Sequence, residues 1–524
     1  MAPETMDLLL ALGPIVLLIL LMTVRGGLPS HVALPLVAVV MLLVKAVWFG
    51  NSPDLLQATV AQGLVKALTP ITIVWGAIIL FRTMEAAGAM DLIRRWLDGL
   101  TGNPVGQLMV VGWAFVFLIE GASGFGTPAA LAAPLLVGMG FPPLRAALFC
   151  LVMDTVPVTF GAVGTPIWFG LGEVAAAAGP AGGEALLQAV SWRAGLINAA
   201  MALVVPPAAL LLVVPAATVW RNLRFVLLSV LATVGPYAAV SAVSYEFPTL
   251  VGGLTGLLGT ALLARRGIGL SARDDDDAIV PASGERAATG ATPGGARLVR
   301  ALFPLWGTVL VLAVTRVSQL GLKGLLTARE PAVVWSLGPL GDLRIAASLR
   351  VEWLRILGEP GVRESYEVLY VPALIPFVLV AGLTVMLYRL PWPRWRATLA
   401  ASTRQITHAV VALLGALVLV QLLMLRESTS AGAIPAATDI TGQAAATLLG
   451  RAWTYAAVWL GALGSFFSGS ATISNLTFGA VQARIATEAG LSVPGILALQ
   501  SAGAALGNMV CIHNIVAVCS ILGL

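Results

Sequence analysis

The sequence predicts an all-α polytopic membrane protein with about 11 to 14 transmembrane segments, arranged as two inverted repeats. Three observations carry this. The 524 residues are 58% hydrophobic and 10% charged, where ordinary soluble domains hold about 25% charged residues. Residues 26–44, 194–220, 247–264, 368–388 and 489–524 contain no Asp, Glu, Lys or Arg, and a membrane helix needs roughly 20 apolar residues in a row. Two apolar regions, 104–141 and 452–486, are interrupted midway by Gly and Ser at corresponding places in the chain.

Composition also excludes function classes. The net charge of +5 is explained by Arg in cytoplasmic loops, and no basic stretch is interleaved with aromatics as a single-strand nucleic-acid binder would need. Cys150, Cys511 and Cys519 lie in apolar runs, which argues against a disulfide framework. No His-Glu-x-x-His and no Gly-x-x-x-x-Gly-Lys-Ser/Thr occurs, so neither a zinc hydrolase nor an ATP-driven pump is indicated. The sequence is read as a non-enzyme with no catalytic residues, no metal ligands and no cofactor. Its partners are a small solute and the lipid bilayer, and a homo-oligomer is compatible with the chain.

The first run, 8–24, follows Glu4 and Asp7 with no Lys or Arg before it. A secretory signal has a positive start, so this run reads as a retained helix. Further spans are expected at 29–48, 66–87, 146–170, 194–217, 225–244, 247–264, 298–316, 369–388, 405–425 and 493–522. Stretches 54–65 and 90–100 look amphipathic and are expected along the membrane surface. The loops 218–224, 265–297 and 389–404 are rich in Arg and separated by pairs of spans, which places all three in the cytoplasm. Counting spans from there puts 317–367 outside, as a polar insertion. It also draws 104–141 and 452–486 as re-entrant hairpins entering from opposite faces. The chain then divides into a first half, 1–264, with hairpin 104–141 and broken helix 146–170. A polar loop, 265–297, joins it to a second half, 298–524, with hairpin 452–486 and broken helix 493–522.

Backbone left unpaired in hydrocarbon is costly, so a non-helical hairpin tip must be buried or line a wet cavity. The tip Gly121-Ala-Ser-Gly-Phe-Gly126 runs into Thr127-Pro128, a helix start with Thr127 as N-cap and Pro128 at N1. Ser468-Gly-Ser-Ala-Thr-Ile-Ser-Asn475 offers the same from the other half, with Ser474 or Asn475 as cap. Helix N-termini carry free N–H donors and partial positive charge, which suit an anion. Ser123, Gly124, Gly126, Thr127, Thr165, Ser468, Ser470, Thr472 and Asn475 are therefore candidate substrate contacts. Gln500, Asn508 and Asn514, which punctuate the last span, join them. The competing reading is that small residues merely let helices approach closely; two clusters at matched places favour function.

Glu120 is the one charge between Asp98 and Arg145, and Asp154 the one between Arg145 and Glu173. Each charged acid at the bilayer centre costs at least about 2.5–3.5 kcal/mol. An acid that is readily neutralised suits proton coupling, so Glu120 and Asp154 are the coupling candidates, with His513 as a third. The alternatives are an acid hydrogen-bonded to backbone to hold a hairpin shut and a histidine serving only packing. Arg82 and Arg426 lie at span ends and read as snorkelling toward headgroups.

At these residues the sequence resembles the L-lactate permeases, a family that includes glycolate carriers. The resemblance is carried by Leu118-Ile-Glu-Gly-Ala-Ser-Gly-Phe-Gly-Thr-Pro-Ala-Ala-Leu-Ala-Ala-Pro134, Gly140 to Ala147, Asp154 to Pro166, Phe467 to Asn475 and Leu499 to Val516. It is loose in 265–297 and 317–367. It implies secondary uptake of L-lactate and related 2-hydroxy monocarboxylates (D-lactate, glycolate) with a proton across a bacterial inner membrane. The residues alone reach only a small anion. They leave open a sodium-coupled carrier of another organic anion, or an anion channel.

Overall fold

The computed structural model describes residues 5–23, 27–124, 127–271, 295–316, 320–371, 374–429 and 432–524. The described chain is mostly helical. Among these residues, eight helices are long and apolar enough to cross a membrane, or ten if each of two bent pairs counts as one span. The remaining expected spans are helices too, but shorter or less apolar; Leu374–Tyr388 is one. Residues 54–65 depart from expectation. Pro53–Lys66 runs with almost no break into Leu68–Ala86, and together they form one long apolar stretch. The span expected at 405–425 begins earlier, at Trp392, so most of the Arg-rich stretch 389–404 is helix and not loop.

The chain divides into two compact units. One comprises Met1–Arg82, Gly307–Ala456 and Leu476–Ile496; the other comprises Thr83–Trp306, Ala457–Asn475 and Leu497–Leu524. In the first unit, helix Ser30–Val47 packs along Trp392–Met424. Small residues let the backbones touch: a Cβ on Gly415 would fall 2.5 Å from Pro35 N. Lys45 is fully buried, and its ammonium donates to the carbonyls of Leu425 (3.0 Å) and Pro435 (3.3 Å). Glu427 accepts from Asn51 and from Ser52 N. Arg426 makes a two-pronged ion pair with Asp439 at 2.8 and 2.7 Å. Arg82 donates to Gln405.

The polar insertion of this unit is folded. Strands β1 (Ala332–Ser336), β2 (Asp342–Ala346), β3 (Arg350–Leu354) and β4 (Glu364–Glu367) form an antiparallel sheet in sequence order. Glu352 pairs with Arg344 across the strands and with Arg350 on its own strand. Ile356 and Val362 bury against Ala58 of helix Pro53–Lys66. Lys66 pairs with Glu364, and Tyr366 donates to Thr72. A helix expected at the membrane surface thus serves as the platform for this sheet.

The second unit is built around Pro104–Ala122, which is wholly buried and widens to π-helical turns over Met109–Phe115. Helices Leu223–Ser241 and Pro248–Arg265 pack on each other and on this centre. A Cβ on Gly253 would lie 2.5 Å from Leu118 Cα, so the two backbones are in contact. Trp113 donates to Thr233 Oγ1 at 3.0 Å. Helix Thr127–Gly138 packs against both Met109–Phe115 and Val116–Ala122. At one end of the unit, Asn222 Oδ1 accepts from Ser271 N and Asn103 Nδ2, knitting three loops together.

Candidate functional site

Two interruptions in the second unit meet. The first is the expected broken helix. Pro143–Met153 and Pro157–Ala177 are bent by 54°. Asp154 caps the first piece, and a 3-10 turn spans Pro157–Phe160. Then Ala162 (φ 44°, ψ 53°), Val163 (φ 60°, ψ 42°) and Gly164 (φ 71°, ψ 14°) take left-handed conformations in succession before the right-handed turn resumes at Thr165-Pro166. A left-handed turn costs an L-residue roughly 1–2 kcal/mol, so neighbours must hold it. Trp168 Nε1 donates to Val163 O at 3.0 Å. Asn198 donates to Thr159 and to Tyr237, each at 2.8 Å. Thr249 donates to Pro157 O.

The second interruption lies between Trp453–Ser468 and Ala471–Glu488. Gly469 has φ 69°. Ser468 Oγ donates to Gly464 O at 2.6 Å, and Ser470 Oγ accepts from Ile473 N at 3.3 Å. Ser470 is therefore the N-cap, not Ser474 or Asn475, which are already helical; Ser474 Oγ donates back to Gly461 O. The turn in the first half ends at Ser123 and Gly124 (φ 63°), and the helix beyond starts at Thr127.

These segments line a cavity of about 240 Å³, counting its open mouth. Its walls are Glu120, Gly124, Val158, Gly161, Ala162, Thr165, Pro166, Gly469, Ser470, Ala471, Thr472 and Asn508. All twelve belong to the second unit. The hydroxyls of Thr472 and Thr165 lie 3.4 Å apart. No Lys or Arg stands among the lining residues.

Glu120 is 2% exposed and Asp154 4%. Glu120 Oε2 and Asp154 Oδ1 have no hydrogen-bond partner among the described residues. A buried carboxyl oxygen without a partner is expensive. The Glu120 carboxyl faces Gly161 so closely that a Cβ there would fall 2.0 Å from Oε1. The two acids lie within electrostatic reach of each other. Of the two acids, Glu120 lines the cavity and Asp154 is not among its walls.

Of the other sequence candidates, Gly124, Thr165, Ser470, Thr472 and Asn508 line the cavity. Asn475 donates to Pro166 O (2.8 Å) and to Ser501 (3.0 Å), while Gln500 donates to Ser474 Oγ. Both thus brace the two interruptions from behind. Asn514 donates to Asn508 Oδ1 at 2.9 Å and orients that amide. Ser123 donates to Ile119 O and, like Ser468, is outside the lining set. Gly126 lies outside the described residues, as do the side chains of Thr127 and His513. Sequence reasoning passed over Val158, Gly161, Ala162, Pro166, Gly469 and Ala471 because they carry no polar side-chain atoms; the Gly161 and Gly469 breaks were the available signal.

The profile of the L-lactate permease family matches residues 7–524. A Haemophilus influenzae protein provisionally named L-lactate permease is 42% identical over 525 residues, covering 99% of this chain and 93% of its own length. The L-lactate permease of Escherichia coli is 27% identical over 487 residues, covering 89% of this chain and 81% of its own. The glycolate permease of the same organism is 38% identical over 160 residues, covering 30% of this chain and 28% of its own. With a matching profile from residue 7 to the last residue and a set of membrane-length helices, the chain belongs to the L-lactate permease family, multi-pass transporters and not enzymes.

Proposed function

We propose that this chain is a proton-coupled carrier for uptake of L-lactate and related 2-hydroxy monocarboxylates, D-lactate and glycolate included, across a bacterial inner membrane. The observation that carries the reading is an unpartnered, buried Glu120 oxygen in the wall of a small cavity whose other polar groups are hydroxyls and an amide. The first turn of helix Ala471–Glu488 opens on that cavity, and helix N-termini favour anions. The substrate carboxylate sits there. Its 2-hydroxyl exchanges hydrogen bonds with Thr165, Thr472 and Asn508. Glu120 holds the coupling proton and, when neutral, donates a hydrogen bond instead of repelling the anion. Asp154 passes the proton onward, and His513 is the third candidate on this path.

Alternating access completes the cycle, and the paired interruptions are the expected product of two inverted repeats with re-entrant hairpins. The halves 1–264 and 298–524 are the proposed repeats, with 265–297 and 389–404 on the cytoplasmic side.

The test uses the full chain in proteoliposomes with an inward proton gradient. Lactate accumulates above its external concentration, glycolate competes and citrate does not. Asp154→Asn, still inserted in the bilayer, loses uphill uptake. Accumulation driven by sodium without a pH gradient, or full uphill uptake by Asp154→Asn, overturns the proton assignment. Uptake that never exceeds equilibrium indicates a channel.

A further inference from the structure

The cavity has two unlike walls. Glu120, Thr165, Thr472 and Asn508 contribute the polar side. The apolar side is Val158 and Ala471, with Ala504 and Ala505 packed behind them; all four are between 0% and 4% exposed. This backing is stiff. Ala504 and Ala505 ride on helix Val493–Met509. Cβ atoms on Gly503 and Gly507 of that helix would fall 2.0 Å from the carbonyls of Val458 and Ala462. The two helices are therefore in backbone contact and have no room to yield.

A 2-hydroxy acid presents three groups at its central carbon besides hydrogen. The carboxylate and the hydroxyl are matched by the polar wall. The remaining group is hydrogen in glycolate, methyl in lactate and ethyl in 2-hydroxybutyrate. We propose that Val158 and Ala471, backed by Ala504 and Ala505, form the subsite that measures this third group and sets the preference among 2-hydroxy acids. The inference rests on the reading of this cavity as the substrate site. An apolar pocket discriminates by about 10- to 200-fold per methylene. A wall that cannot relax lies toward the upper part of that range, because a void or a clash persists.

The experiment measures initial uptake of glycolate, lactate and 2-hydroxybutyrate by the full chain in proteoliposomes under a pH gradient. Ala471→Val narrows the subsite, and the lactate-to-glycolate ratio falls about tenfold or more. Val158→Ala widens it, and the 2-hydroxybutyrate-to-lactate ratio rises about tenfold. Both variants transporting with wild-type ratios overturns the subsite. A competition series on the unmodified protein keeps the test decisive if a variant does not insert. Inhibition of lactate uptake should drop steeply as the third group grows past methyl, and a flat series overturns the proposal. A wild-type protein that takes up none of these acids refutes the substrate reading itself, a separate outcome.

Discussion

Glu120 and Asp154 stood out in the sequence because an acid surrounded by apolar residues has no cheap place to be. Composition and sequence neighbours alone mark both acids, so they are legible in the sequence. What it could not tell was the difference between the two: Glu120 reaches the cavity and Asp154 does not. Gly161 makes the same point from the other side. Nothing about a glycine announces that a carboxyl occupies the place of its missing side chain. Gly161→Ala should leave the protein in the membrane, because the obstacle is the end of a side chain and not backbone. It should displace the Glu120 carboxyl and lower uptake by about tenfold, about 1.4 kcal/mol. Uptake by this variant within twofold of wild type, measured in proteoliposomes at equal protein, would sink the assignment of that contact.

At the scale of elements, breaks were easier to read than boundaries. Pro157, the Gly164-Thr165-Pro166 run and the Ser468–Ser470 tip marked where helices stop, since each removes a donor or favours a non-helical backbone. The cap of the second tip was misassigned by four or five residues: Ser474 and Asn475 have capping side chains, yet Ser470, nearer the glycine, holds the first turn. The left-handed turn at Ala162–Gly164 was not legible. Trp168 of the same helix holds the Val163 carbonyl, while Asn198 and Thr249, from elsewhere in the unit, hold Thr159 and Pro157 just before the turn, and no sequence pattern announces those distant partners. A Cβ on Gly164 would fall 2.0 Å from the Tyr245 carbonyl, and the residue already has φ 71°. Gly164→Ala should therefore destabilise the protein by about 2 kcal/mol or more. Thermal unfolding in detergent reads this directly; an unchanged midpoint would mean the turn is not held as described.

For the whole molecule, the apolar runs conveyed membrane residence and most helix positions, while the folded insertion escaped notice. Its strands are only four or five residues long. The alternation in Arg350-Val-Glu-Trp-Leu354 was the available sign, but it lay inside a segment set aside as polar. The same insertion gives helix Pro53–Lys66 protein contacts that the sequence did not suggest: Gln62 donates to Arg363 O and Lys66 pairs with Glu364. The unpartnered Glu120 oxygen in the cavity wall, read as the place of one coupling proton, has one more consequence. A carrier that moves one anion together with one proton moves no net charge over its cycle. On the proposed reading, the transmembrane voltage, worth about 2.3 kcal/mol per charge per 100 mV, then does no work on uptake. A potassium diffusion potential imposed across proteoliposomes at fixed pH should leave the lactate gradient unchanged, whereas a potential-dependent gradient would require an extra charge in transit. The ceiling on accumulation is then set by acidity alone: each unit of pH difference supports a tenfold concentration ratio, about 1.4 kcal/mol. Such a carrier runs in reverse when the product of lactate and proton concentrations is greater inside than outside.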